Sequence, residues 1–138
     1  MIETVPLVMQ FMRRQMRKAS SRKLSIAQLR TLNFVSKHDL PSLSCAAEFI
    51  GLSLPAMSRL VDGLVKTNLL TRRSCDDDRR HIRLAVTDLG QAALDESWKS
   101  THARLAEELA AMTSKERRAI SAAMDILREK FDPEIVKG

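Results

Sequence analysis

Residues 42–66, SLSCAAEFIGLSLPAMSRLVDGLVK, hold two short amphipathic segments separated by a three-residue turn. Ser42 can cap the first segment, and Ala46, Ala47 and Ile50 recur on its inner face at helical spacing. Gly51 supplies the left-handed position that ends a helix without a Cβ clash. Ser53 caps the second segment, and Pro55 falls in its first turn, where a missing N–H costs nothing. Met57, Leu60, Val61 and Leu64 make the inner stripe, leaving Pro55, Ser58, Arg59, Asp62 and Lys66 outside. Helices this short are unstable alone and must pack on each other and on neighbours. The arrangement matches a helix-turn-helix, although an ordinary core hairpin has similar spacing.

The residues that follow change period. LLTRRS and HIRLAVT read as short strands, with Ile82, Leu84 and Val86 alternating as the core-facing set, and CDDDRR lies between them. A helix-turn-helix followed by a two-stranded hairpin is a winged helix, and a core hairpin does not predict that order. The fold class expected is therefore mainly α with a small β-hairpin wing.

Helices flank this unit on both sides. Residues 2–19 carry Val5, Val8, Met9, Met12 and Met16 at helical spacing. Ser25 and Gln28 form a capping box, Leu24 and Leu29 are placed as a hydrophobic staple, and Leu29, Leu32 and Phe34 or Val35 form a buried stripe. That helix is expected to stop before Asp39-Leu40-Pro41, because a residue preceding proline disfavours helical geometry. The Gly-like position after Lys66 and Thr67 is Asn68, which tolerates left-handed backbone. Thr87 caps a long helix from Asp88 to about Ala110 with Leu89, Ala93, Leu94, Trp98, Leu105 and Leu109 as its apolar positions. Thr113 and Glu116 make a second capping box for a helix bearing Ile120, Ala123, Met124, Leu127 and Phe131, ended by Asp132-Pro133. The first and last two helices hold more apolar surface than a small winged helix needs, so a second copy of the chain is expected to cover them.

Charge points the same way. The net charge is +6, and it is uneven: residues 1–24 carry six Lys/Arg against one Glu, residues 25–87 nine against six acids, and residues 88–138 eight against ten. A basic front two-thirds is the footprint of a polyanion partner. No apolar run approaches a membrane span. The start of the chain does not have the charge order of a signal peptide, which with the cysteine usage suggests a cytoplasmic protein. Cys45 and Cys75 are too few for a disulfide framework; Cys45 is expected to be partly buried and Cys75 exposed. His38, His81 and His102 have no metal-ligand spacing, and neither a phosphate-cradling glycine loop nor a nucleophile–base pair is present, so no metal, cofactor or enzymatic activity is expected.

SIAQLRTLNFV, SLSCAAEFIGLSLPAMSRLVDGLVKTNLLTRR and DRRHIRLAVTDLG together resemble the MarR family (multiple antibiotic resistance regulators) over about residues 5–131. The wing motif, Asp-Arg-Arg followed by an alternating strand and Thr-x-x-Gly, is its most specific element, and within the family the chain most resembles the SlyA-like members. The resemblance implies one MarR-type domain over residues 1–138. Its winged helix-turn-helix DNA-binding region would be residues 25–87, and its helical dimerisation region would be residues 1–24 and 88–138. It also implies a homodimeric transcription regulator, in the main a repressor, on a pseudo-palindromic operator of double-stranded DNA. The recognition helix, about 54–67, would enter the major groove and the wing, about 71–87, the minor groove. Many members release DNA when a small aromatic or phenolic ligand binds. Departures are Ala46 for a usual Leu, Asn68 for a usual Gly, and Phe49 at a commonly polar position, where it could replace lost core or wall a pocket. The cysteine that peroxide-sensing members carry in their first helix is missing from residues 1–24. A winged helix used as a protein-interaction module is the alternative, but such modules often carry an acidic or apolar recognition helix.

The candidate DNA-binding residues follow. Arg59 can bond a guanine edge bidentately or hold a phosphate, unless Asp62, three residues along, takes it up. Pro55 and Ala56 suit a thymine methyl, Ser58 a phosphate or base edge, and Lys66 extends the same face. Arg79 and Arg80 sit at the wing, where a narrow A·T-rich minor groove attracts arginine. By match to the family motif Arg80 would insert, with Asp78 orienting it. Arg72, Arg73 and Arg83, on the flanking strands, are phosphate contacts or wing-bracing ion pairs. Asp76 and Asp77 have no assigned role, since acids near DNA repel it.

Overall fold

The computed structural model describes residues 3–19, 22–75 and 78–131, apart from the side chains of 19, 75 and 78–81. The order is α1 (Thr4–Ala19), α2 (Ile26–Lys37), α3 (Leu43–Ile50), α4 (Leu54–Lys66), β1 (Leu70–Cys75), β2 (Asp78–Val86), α5 (Asp88–Ala110) and α6 (Ser114–Phe131). Two compact units, Met1–Thr101 and His102–Gly138, divide within α5.

In the first unit the expected caps form. The Ser25 hydroxyl accepts from Gln28 N (3.1 Å) while Gln28 Oε1 accepts from Ser25 N (2.8 Å), closing the box at the start of α2. Ser42 and Ser53 accept from Cys45 N and Ala56 N at the starts of α3 and α4. Gly51 ends α3 at φ 81° and bonds back to the Ala47 and Glu48 carbonyls. Asn68, at φ 58°, turns the chain out of α4 as its sequence position suggests. Leu29 and Leu32 of α2, Ala46 of α3, Met57, Val61 and Leu64 of α4, Leu70 of β1, Leu84 of β2 and Leu94 of α5 form one core. A fully buried leucine contributes on the order of 1.5–3 kcal/mol. Thr31 and Thr101, buried with them, satisfy their hydroxyls on the carbonyls of Ala27 and Ser97 in their own helices.

α2 ends at Lys37, before Asp39-Leu40-Pro41 as expected, and His38 turns extended. Other expectations change. Leu40 then adopts φ 46°, not the extended geometry that Pro41 favours. The reason lies across the chain: the Pro41 carbonyl accepts from Leu84 N at 2.9 Å, and Ser42 bridges to Arg83. This tertiary contact outweighs the local preference, and it gives β2 a bonded neighbour on its second edge. Phe49 is 51% exposed, so it does not refill the core beside Ala46; it stacks on Phe34 with ring centroids 4.6 Å apart. Cys45 is exposed, not partly buried. Ile82 is 39% exposed, so of the three alternating residues Leu84 is the buried anchor and Val86 packs against the core edge.

The junction between the hairpin and α5 explains Thr87-x-x-Gly90. Thr87 Oγ1 donates to the Asn68 carbonyl (2.6 Å) and accepts from Gly90 N (2.9 Å), while Thr87 N donates to the Leu69 carbonyl (3.2 Å). The first turn of α5 lies so close to this strand entry that a Cβ on Gly90 would sit 2.1 Å from the Leu69 oxygen. Here glycine is required by space, and its backbone is ordinary helix.

In the second unit, Thr113 N and Oγ1 both donate to Glu116 Oε2 at 2.7 Å, completing the box that starts α6. These bonds hold the Glu116 carboxyl below its usual range, the side-chain bond contributing most. Whatever the cap contributes is present above the ordinary glutamate range and fades as pH falls through the lowered value. The Arg117 guanidinium bonds the carbonyls of Leu109, Ala110 and Met112, satisfying groups that the end of α5 leaves without helical partners. No α6 side chain is buried, and Met124, Ile126 and Phe131 are exposed. Asp132-Pro133, the expected stop of this helix, lies outside the described residues.

Substituting Gly90→Ala should cost about 2 kcal/mol or more, since backbone must move to admit the methyl. Gly51→Ala, strained but with open space, should cost about 1–2 kcal/mol. Urea denaturation of both variants measures the order; equal losses would contradict a steric requirement at Gly90.

Candidate nucleic-acid interface

The core stripe of α4 fixes its outer face. With Met57, Val61 and Leu64 buried, helical geometry places Pro55, Asp62, Arg59 and Lys66 along the opposite ridge. On the ridge Pro55, Arg59 and Lys66 are exposed and Asp62 half-buried, and Ala56 and Ser58 are half-buried at its sides. The Pro55, Ala56, Ser58, Arg59 and Lys66 set therefore lies on one continuous accessible surface. Leu60, expected inward, is only partly buried at the core margin.

Asp62 does not behave as its spacing suggests. Its carboxylate binds Arg72 Nη2 at 2.6 Å, across from α4 to β1, with the two side chains 44% and 33% exposed. The hairpin register explains why. Leu70 pairs with Val86, Arg72 with Leu84 and Ser74 with Ile82, so Arg72 shares the face of buried Leu84. From there its guanidinium reaches the recognition helix, and Arg72 becomes a brace between helix and wing. No spacing rule links positions 62 and 72; only the antiparallel register brings them together.

Arg73 and Arg83 stand directly opposite each other on the other face. Arg73 is exposed and Arg83 half-buried. Like charges in that position destabilise a hairpin and are relieved by an anion between them. The three arginines that sequence left undivided thus separate into one brace and one outward pair.

Toward the tip, Cys75 pairs with Asp78 after a register shift, which leaves residues 79–81 on β2 without partners on β1 before Ile82 meets Ser74. The side chains of Asp78, Arg79 and Arg80, and Asp76 and Asp77 altogether, lie outside the described residues.

A second polar surface emerges between α1 and α2. Gln10, Arg13 and Arg17, about one turn apart on α1, face Ile26, Ala27 and Arg30 of α2 across an open groove of about 430 Å³. The arginines are legible in the sequence as positive charge, but their convergence depends on how the two helices cross. Among the described residues no group of His, Cys, Asp or Glu could hold a metal ion, and no helix is long and apolar enough to cross a membrane.

The family model described as the MarR family matches residues 23–81, the stretch from the end of the α1–α2 loop into the wing. The fold agrees with the wild-type MarR protein of E. coli in its apo form, at a TM-score of 0.78 and 19% identity, covering 92% of this chain and 96% of that one. The chain is thus similar to the MarR family over residues 23–81. A curated relative, an uncharacterized HTH-type transcriptional regulator of Bacillus subtilis, YfiV, is 25% identical over 109 residues, spanning 79% of this chain and 68% of that protein. A variant of S. aureus MepR bound to an oligodeoxyribonucleotide superposes with a TM-score of 0.70 at 14% identity, covering 93% of this chain and 95% of that one. The chain thus has a winged helix-turn-helix fold, and the curated relative it matches is named a transcriptional regulator.

The Asp62–Arg72 brace can be weighed by a double-mutant cycle with Asp62→Ala and Arg72→Ala. For a partly exposed pair the coupling in urea denaturation should be about 0.2–1 kcal/mol and shrink with added salt. No coupling at low salt would show that the pair braces nothing.

Proposed function

We propose that the chain is a homodimeric, sequence-specific DNA-binding repressor working in the cytoplasm. α4 enters the major groove and the wing the adjacent minor groove of a pseudo-palindromic site. The supporting observation is the ionic state of the α4 ridge. Its one acid, Asp62, is neutralised by Arg72, which leaves Arg59 and Lys66 to set the sign of the surface. An acidic or apolar recognition helix, as a protein-interaction module often has, is not what this ridge presents.

Roles follow from placement. Arg59 reaches a guanine edge or phosphate, Ser58 a phosphate or base edge, and Pro55 and Ala56 pack against thymine methyls. Lys66, Arg73 and Arg83 take phosphates, and Arg72, of the two roles open to it, serves as the brace. At the wing, Arg80 inserts, Arg79 supports it and Asp78 orients it. Residues 25–87 form the DNA-binding region, and residues 1–24 with 88–138 the dimerisation region. Val5, Leu7, Val8 and Met9 of α1 are exposed apolar residues of the kind a second copy would cover, as are Met124, Ile126 and Phe131 of α6.

The effector we propose is a small aromatic anion. The α1–α2 groove, with three guanidiniums over an apolar floor of Ile26 and Ala27, suits a carboxylate joined to a ring. Benzoate, used as the probe, should weaken DNA binding, and an Arg13→Ala/Arg30→Ala variant should lose that response while still binding DNA. An unchanged response would place effector binding elsewhere.

The primary test is selection of a site from random duplex DNA, followed by titration of the full chain. Arg59→Ala should weaken the selected site by about 1–3 kcal/mol relative to scrambled DNA. For about 6–10 neutralised phosphates, affinity should fall by roughly 10³–10⁵ between 50 and 200 mM salt. Folded dimer that retains no DNA at low salt would refute the reading, and an unaltered site preference in Arg59→Ala would remove that residue from base recognition.

A further inference from the structure

α4 opens with a residue that no local requirement explains. Leu54 is its first helical residue and is 50% exposed, although the same helix buries Met57, Val61 and Leu64. The core therefore does not need Leu54. Helical geometry places it between buried Val61 and half-buried Ser58, on the flank that separates the buried stripe from the Pro55–Arg59 ridge. Among the described residues it is the one large exposed hydrophobic side chain on α4.

We propose that Leu54 reads the C5-methyl group of a thymine, making it a specificity-determining residue of α4. The proposal rests on the DNA-binding reading above. In a helix-turn-helix the first residues of the second helix meet base edges. On the major-groove edge of unmodified DNA the apolar group available is the thymine methyl; every other feature is a donor or an acceptor. A leucine side chain can satisfy neither, so against a G·C pair it would desolvate polar atoms without return. Pro55 has no N–H, so the first turn of α4 presents one backbone donor fewer. Leu54 adds an apolar contact at this end, while Arg59, further along the helix, supplies a polar one. The basic ridge that continues through Lys66 makes DNA the occupant of this surface, in place of an apolar protein groove.

The experiment replaces each thymine of the selected site by uracil, one position at a time. This removes the methyl and keeps the pairing. For wild-type full-length chain, one thymine in the major-groove footprint should show a roughly three- to fivefold loss of affinity, the value of one buried methyl. Leu54→Ala should bind the thymine and uracil duplexes equally at that position, and Leu54→Met, which keeps the apolar reach, should retain some of the discrimination. Unchanged denaturation midpoints for both variants, as expected of an exposed site, tie the effect to recognition. If Leu54→Ala keeps the full uracil penalty, the methyl is read by another residue and the proposal is overturned. It is overturned as well if wild type binds tightly with no sensitive thymine. Wild type that selects no DNA at all overturns the DNA-binding reading itself, and this inference with it.

Discussion

The winged helix closes at one point of near contact, where the first turn of α5 lies against the Asn68–Leu69 backbone. A Cβ at Gly90 would fall 2.1 Å from the Leu69 oxygen, and Thr87 bonds to both Asn68 and Leu69. Four segment ends meet there: the exit of α4, the start of β1, the end of β2 and the start of α5. Because Asn68 turns out of α4 in left-handed geometry, β1 starts at once, and Leu69 and Leu70 are buried immediately after it. The hairpin is thereby set against the recognition helix, which is the precondition for the Asp62–Arg72 brace.

From that constraint the electrostatics of the surface follow. Strand pairing puts Arg72 and Leu84 on one face and Arg73 and Arg83 on the other. The inward arginine neutralises the ridge's acid, and the outward two are left in mutual repulsion. Three residues that look alike in sequence thus acquire two distinct roles. A basic ridge beside a pair of arginines with no acidic partner among the described residues is a surface whose self-repulsion a polyanion relieves. Fold and function are linked in this way without any single arginine having to carry the whole affinity.

Local signals in the sequence hold where a single turn of chain decides the outcome. Ser25, Ser42, Ser53, Thr87 and Thr113 cap helices as their positions suggest, and Gly51 and Asn68 adopt positive φ. Such features depend on backbone groups within three or four residues. The readings that changed depend on distant partners. Leu40 is bent by the demand of Leu84 for the Pro41 carbonyl; Phe49 has a ring partner in Phe34 on another helix; Ile82 lies too far along the hairpin to reach the core. Alternation along a strand tells which residues share a face, but not how far the core extends beneath it.

The sequence alone determined the element order, the helix caps, the buried Met57, Val61 and Leu64 stripe of α4 and the positive sign of residues 1–87, because each is set by local hydrogen bonding, periodicity or composition. Only the tertiary structure decided which partner Asp62 takes, which arginines face outward, that Gln10, Arg13, Arg17 and Arg30 converge on one groove, and that Leu54 is left in solvent. Those outcomes depend on strand register and helix crossing, which bring together residues with no fixed spacing along the chain.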